Sequence, residues 1–221
     1  MADFKIVLGN KNYSSWSLRG WLALKRCGVA FDEEVIPLYQ DDWRARLLAV
    51  SPAGKVPVLL HGERTVWDSL AIVEYLAELF PEAGLWPDET GARALARAVS
   101  AEMHAGFAAL RDDMPMNFRG DVDAPRAPRG GAAVEADIAR VVELWRDCRA
   151  RFGAGGPFLF GAFSAADAFY APVAARFAAY HVDLPAPAAD YRDTVLAWPD
   201  VEEWRQATIA ETWVITFPVR R

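Results

Sequence analysis

Between Ser51 and Ser69 the chain reads Ser-Pro-Ala-Gly-Lys-Val-Pro-Val-Leu-Leu-His-Gly-Glu-Arg-Thr-Val-Trp-Asp-Ser, a run whose polar groups are suited to one small ligand. Lys55 offers a point charge to a carboxylate. Val56 precedes Pro57 at the mouth of the apolar run Val58-Leu59-Leu60, where proline donates no ladder hydrogen bond. A cis Val56-Pro57 bond is expected, turning the Val56 amide and carbonyl outward to pair with an extended ligand as another strand would. Asp68 and Ser69 open a helix, whose first N–H groups attract an anion. Together these parts suit a small, extended, charged peptide held by its backbone. A second cluster, Tyr13-Ser14-Ser15, lies where a strand gives way to a helix, so its hydroxyls stand beside N–H groups without intrahelical partners.

The elements that must position these groups are legible from apolar periodicity. A strand is expected at residues 4–8 and a helix at 15–26, with Leu18, Trp21, Leu22 and Leu24 inward and Gly28 as its stop. A strand follows at 31–38 and a short helix at 41–49. A hairpin spans 57–60 and 65–67, and a helix at 70–80 ends at Pro81. This β-α-β-α-β-β-α order describes a small α/β layer. Residues 82–90, with Gly84 and Pro87, read as a linker, and everything beyond has helical spacing. One long helix is expected at 90–113. Pro115 and the Gly/Pro/Arg-rich stretch 120–131 break the chain. Val134, Ile138, Val141, Trp145, Cys148 and Phe152 then mark an amphipathic helix. Ser164-Ala165-Ala166-Asp167 has the form of a capping box, read as structural, and Trp198-Pro199-Asp200 starts a last helix through Trp204.

Composition narrows the function classes. The 221 residues are 53% hydrophobic and 24% charged, which predicts a filled core and no long disordered tail. A net charge of -6 without any Lys/Arg run argues against nucleic acid as a partner. No leader pattern opens the chain and no apolar stretch reaches membrane-spanning length, so a cytoplasmic protein without a membrane partner is expected. Cys27 and Cys148 form no Cys-x-x-Cys pair and read as structural thiols. His61, His104 and His181 lack metal-ligand spacing, so no metal is expected.

The strand order, Ser-Pro-Ala-Gly-Lys-Val-Pro-Val-Leu and Trp-Asp-Ser resemble the soluble glutathione S-transferase family at matching positions over essentially the whole chain. The resemblance implies an α/β plus all-α architecture. A thioredoxin-like glutathione-binding domain would span 1–82, and an all-helical domain forming the cosubstrate pocket would span 89–221. It implies glutathione as cosubstrate, a small hydrophobic electrophile as second substrate, a homodimer and a detoxification role. Residue by residue, Lys55 would bind the glycine carboxylate, Val56 would pair with the cysteinyl backbone, and Asp68 and Ser69 would hold the γ-glutamyl end. Met114, Met116 and Phe118 would border the electrophile.

Ser14-Ser15-Trp16-Ser17-Leu18-Arg19 resembles the Ser-Ser-Cys-x-Trp-Arg signature of the zeta class, with Trp16 where that class has Cys. The resemblance makes Ser15 first and Ser14 second as the catalytic hydroxyl, with Tyr13 as a further alternative. Arg19, one turn past Ser15, is read as a tie between the two domains in preference to a contact with an acidic substrate. Two other functions stay open. One is glutathione-dependent cis-trans isomerisation (maleylacetoacetate or maleylpyruvate type) or peroxide reduction; the other is a glutathione- or partner-binding module without catalysis. The absent Cys weakens the case for zeta-type isomerisation.

Overall fold

The computed structural model describes residues 3–119 and 130–215. Its first part runs β1 (Phe4–Leu8), α1 (Ser15–Arg26), β2 (Phe31–Val35), α2 (Trp43–Val50), β3 (Val58–His61), β4 (Arg64–Val66) and α3 (Ser69–Leu79). The sheet order is β2-β1-β3-β4, with β1 parallel to β2 and antiparallel to β3. The period of two along β1 divides its side chains between two cores. Phe4, Ile6 and Leu8 face the large core, with Leu18, Leu22, Ile72 and Leu76 of α1 and α3. Val7 faces the other way, into a small cluster with Ile36, Val58 and Leu47 of α2. α1 passes close to the Val56-Pro57 step because residue 20 is glycine: a Cβ there would lie 3.0 Å from the Pro57 ring.

The second part is helical: α4 (Thr90–Ala105), α5 (Ala108–Asp113), α6 (Ala132–Phe152), α7 (Ala165–Ala179), α8 (Ala186–Leu196) and α9 (Pro199–Ala210). α7 is buried through almost its whole length and packs on α1, so one large core is continuous through both parts. Its start is the expected capping box, with Ser164 and Asp167 bonded reciprocally.

Several expectations need correction. The helix expected at 90–113 is two helices. At Gly106 the backbone turns so that a Cβ would meet the Glu102 carbonyl at 2.9 Å, and Phe107 takes a left-handed φ of 60°. Arg111 folds back on the break, its guanidinium donating to the Gly106 carbonyl at 3.0 Å and to that of Met103. The strand expected at 31–38 stops at Val35, before Pro37. The linker is not loose: Leu85 and Trp86 are buried, and the Leu85 carbonyl accepts from the Ala165 N–H at 2.8 Å. α8 had no clear periodic signal, and the last helix runs past Trp204 to Ala210. Of the break expected at 120–131, residues 120–129 lie outside the described residues.

Candidate active site

A cleft of about 680 Å³ opens where the starts of α1 and α3 meet α2 and the end of α4. Of the residues singled out from the sequence, Tyr13, Ser14, Ser15, Lys55, Val56, Asp68 and Ser69 line it.

The local hydrogen bonds separate the three candidate hydroxyls. Ser14 is the N-cap of α1; its Oγ accepts from the Ser17 N–H at 3.3 Å and donates to Ser17 Oγ at 2.8 Å. Ser17 Oγ in turn accepts from the Gly9 N–H at 3.0 Å. The Ser14 hydroxyl is thus used in closing the β1–α1 turn. The Tyr13 hydroxyl accepts from Arg119 Nη2 at 2.9 Å. Ser15, first residue of α1, has a hydroxyl engaged by no described residue, and it stands at the positive end of that helix.

The loop before α1 is held from the far end of the chain. The Glu211 carboxylate accepts from the N–H groups of Lys11 and Asn12, the latter at 3.0 Å. Arg119 donates to the carbonyls of Glu211 and Trp213 as well as to Tyr13. These bonds strap residues 211–215 across the loop and bring Ile215 to the cleft.

On the opposite wall Ser51 brackets Lys55, donating to its carbonyl at 3.0 Å and accepting from its N–H at 3.3 Å. The Lys55 side chain is exposed and has no acidic partner among the described residues. The Val56-Pro57 bond is cis, as expected, and so is Trp67-Asp68. Neither the N–H nor the carbonyl of Val56 is hydrogen-bonded to a described residue. Asp68 caps α3, its Oδ1 accepting from Leu70 at 3.0 Å and Ala71 at 3.4 Å. The cap does not take the N–H of Ser69, whose buried Oγ has no partner among the described residues.

His104 is the residue missed from the sequence, where it was weighed only as a metal ligand. It reaches across from α4, its Nε2 3.0 Å from Asp68 Oδ2, with its ring edge-on to Trp16 at 5.0 Å. No local signal links positions 68 and 104. Burial first, then Arg19 and Arg111, hold its pKa below the ordinary histidine value, against the pull of Asp68. Arg19 is fully buried between the rings of Trp16 (4.7 Å) and Phe169 (4.9 Å), joining α1 to α7 away from the cleft lining.

Tyr39, Trp43, Trp67 and Trp16 give the cleft aromatic walls. Met114, Met116 and Phe118 do not contribute to them. They are buried in the large core, held inward by Arg176 donating to the Met114 carbonyl at 2.7 Å and Tyr180 to that of Pro115 at 3.2 Å. Burial pushes the thiols of Cys27 and Cys148 up to about 12, so neither is a nucleophile at neutral pH. Among the described residues no group of three or more His, Cys, Asp or Glu side chains is placed to hold a metal, and no helix is long and apolar enough to cross a membrane.

A thioredoxin-like sheet joined to a helical half, with a cleft of unpaired polar groups at their junction, defines a two-part class of ligand-binding fold. Residues 13–79 match the N-terminal domain of the glutathione S-transferases and residues 131–207 their C-terminal domain. The chain belongs to the glutathione S-transferase family. A Caenorhabditis elegans protein named a probable maleylacetoacetate isomerase is 35% identical over 51% of this chain and 52% of its own, so that alignment spans about half of the relative. A zeta-class glutathione S-transferase of Euphorbia esula is 27% identical over 81% of this chain and 80% of its own. Among solved structures, a glutathione transferase homologue from Burkholderia gl BGR1 with bound glutathione is similar in fold, with a TM-score of 0.72. It is 21% identical, and the match covers 94% of this chain and 99% of that one.

Proposed function

We propose that the protein is a glutathione transferase in which Ser15 stabilises the glutathione thiolate for attack on a small hydrophobic electrophile. The observation that carries this reading is the set of unpaired groups on one cleft: the Ser15 hydroxyl, the Lys55 ammonium, the Val56 backbone pair and the Ser69 hydroxyl. Their chemistry is that of a γ-glutamyl tripeptide laid end to end. Lys55 meets the glycine carboxylate, Val56 pairs with the cysteinyl residue, and Ser69 with the start of α3 takes the γ-glutamyl carboxylate while Asp68 faces its ammonium.

A free thiol titrates at about 8.5, so little of it is ionised at neutral pH. A hydrogen bond to a charged group contributes about 1.5–3 kcal/mol. A Ser15 O–H donated to sulfur, with the positive end of α1 behind it, therefore lowers the thiol by about one to two pKa units. The thiol proton leaves to solvent, the thiolate sulfur bonds to the electrophilic carbon, and the leaving group departs with its electron pair. No covalent enzyme intermediate is needed; the work is ionisation and proximity.

In this reading residues 1–82 hold glutathione and 89–221 complete the second-substrate side, with the aromatic walls suited to an apolar compound. A cytoplasmic homodimer acting in detoxification completes it. Calorimetric titration with glutathione and conjugation of a chlorodinitrobenzene-type electrophile test the proposal. Absence of heat, or full activity in Ser15→Ala, refutes it.

A second reading, isomerisation of a maleyl dicarbonyl acid, is favoured by the Ser14-Ser15 pair and by relatives bearing that name. Trp16 in the place of the zeta-class Cys weighs against it. Fast isomerisation with negligible conjugation decides for the second reading.

A further inference from the structure

Asp68 is read as the carboxylate that meets the ligand's ammonium, yet it is an exposed side chain at a helix mouth, free to rotate unless something holds it. A carboxylate offers about four lone-pair sites. Two are used by the cap, on the N–H groups of Leu70 and Ala71. A third is used by His104 Nε2 at 3.0 Å. The fourth remains for an incoming cation. The histidine is itself fixed, edge-on to Trp16 at 5.0 Å and tilted against Phe169 at 6.1 Å. The Asp68 carboxylate can only accept, so Nε2 carries the proton of the hydrogen bond, and the buried Nδ1, without a partner among the described residues, is left as the unprotonated nitrogen of the neutral ring.

We propose that His104 is a positioning residue for the γ-glutamyl end of the ligand, a neutral donor from the helical half that locks the Asp68 carboxylate onto the incoming ammonium. The inference rests on the glutathione reading of the cleft. Neutrality matters, because a cationic donor would set a second positive charge against the ammonium at the same carboxylate. The groups that face the ring are Asp68 at the start of α3, Arg19 on α1 and Arg111 on α5, with Trp16 and Phe169 as its apolar contacts. The two guanidiniums and burial oppose protonation; Asp68 alone favours it.

Calorimetry on the full chain tests this with glutathione and with an analogue in which the γ-glutamyl ammonium is replaced by hydrogen. His104→Leu is expected to weaken glutathione about tenfold, as loss of a hydrogen bond to a charged group does, and to leave the analogue unchanged. His104→Gln keeps an amide N–H at the same reach and is expected to restore binding to within about twofold. As the pH falls below the ordinary histidine value of about 6.5, wild-type affinity for glutathione falls while that of His104→Gln stays level. This pH comparison carries the test if the leucine variant does not fold. Equal glutathione affinity and equal pH profiles in wild type and variants overturn the inference and leave the glutathione reading intact. A wild-type chain that takes up no glutathione overturns both.

Discussion

Two helices in this molecule start with an acid and a serine hydroxyl, and they use them in opposite ways. At α7, Asp167 is fully buried and accepts from Leu159 N–H, Tyr191 O–H and both the N–H and O–H of Ser164, at 2.9–3.1 Å. No donor is left over. At α3, Asp68 is exposed, its cap bonds reach 3.4 Å, and the buried Ser69 hydroxyl has no partner among the described residues. The same residue types thus make a closed joint in one place and an open socket in the other. Buried polar groups are normally satisfied, and the Ser69 hydroxyl, at a helix mouth in the cleft, is one of the exceptions among the described residues.

The comparison breaks most readily at the closed end. Asp167→Ala leaves four buried donor groups stranded and is expected to cost about 3–5 kcal/mol. In a chain of this size that lowers Tm by about 10 °C, read by calorimetric melting. A melting point unchanged in that variant removes the contrast. Next in size is the pair Ser15→Ala and Ser14→Ala. The first is expected to lower kcat/KM for conjugation about 10- to 100-fold with normal stability. The second removes the α1 cap and costs about 1 kcal/mol of stability, with the smaller kinetic effect. Reversed ranks would move the catalytic role to Ser14.

At the open end, Ser69→Ala removes a hydroxyl with no partner in the fold. It is expected to raise stability by about 1 kcal/mol while weakening glutathione binding, whereas Ser164→Ala is expected to destabilise. If both serine variants melt lower by similar amounts, the two helix starts are alike after all. Lys55→Met is expected to weaken glutathione only about threefold, and less in high salt, because an exposed charge contact is worth under about 1 kcal/mol.

A last effect concerns stability and pH. His104 has a folded pKa below its unfolded one, so the unfolded chain binds the proton more readily. Its contribution is therefore fully present above the unfolded value and is lost as the pH falls below it. Wild type is expected to lose more stability than His104→Gln on acidification through that range, measured by denaturant titration.

The cleft lining between Lys55 and Ser69 was legible because its parts are local. A backbone rung, a loop charge and a helix cap all lie between Lys55 and Ser69, and each has its own short-range signature. The capping box at Ser164 was legible for the same reason. His104, Arg119 and Glu211 were not, since their partners are set by packing across 36 to 200 positions. The break at Gly106 was hidden by the Ala-rich helical spacing on both sides of it. α8 escaped because only Ala188, Tyr191 and Val195 of its eleven residues are buried, too few for a periodic signal. Met114, Met116 and Phe118 look like a pocket rim in a line of letters. Two hydrogen bonds to backbone carbonyls turn that segment inward instead.

The strap formed by Glu211 bears on the order in which the molecule is built. Lys11 and Asn12 are synthesised about two hundred residues before the carboxylate that accepts from their amides. Until that carboxylate is made, the turn leading into Ser15 lacks both of these bonds.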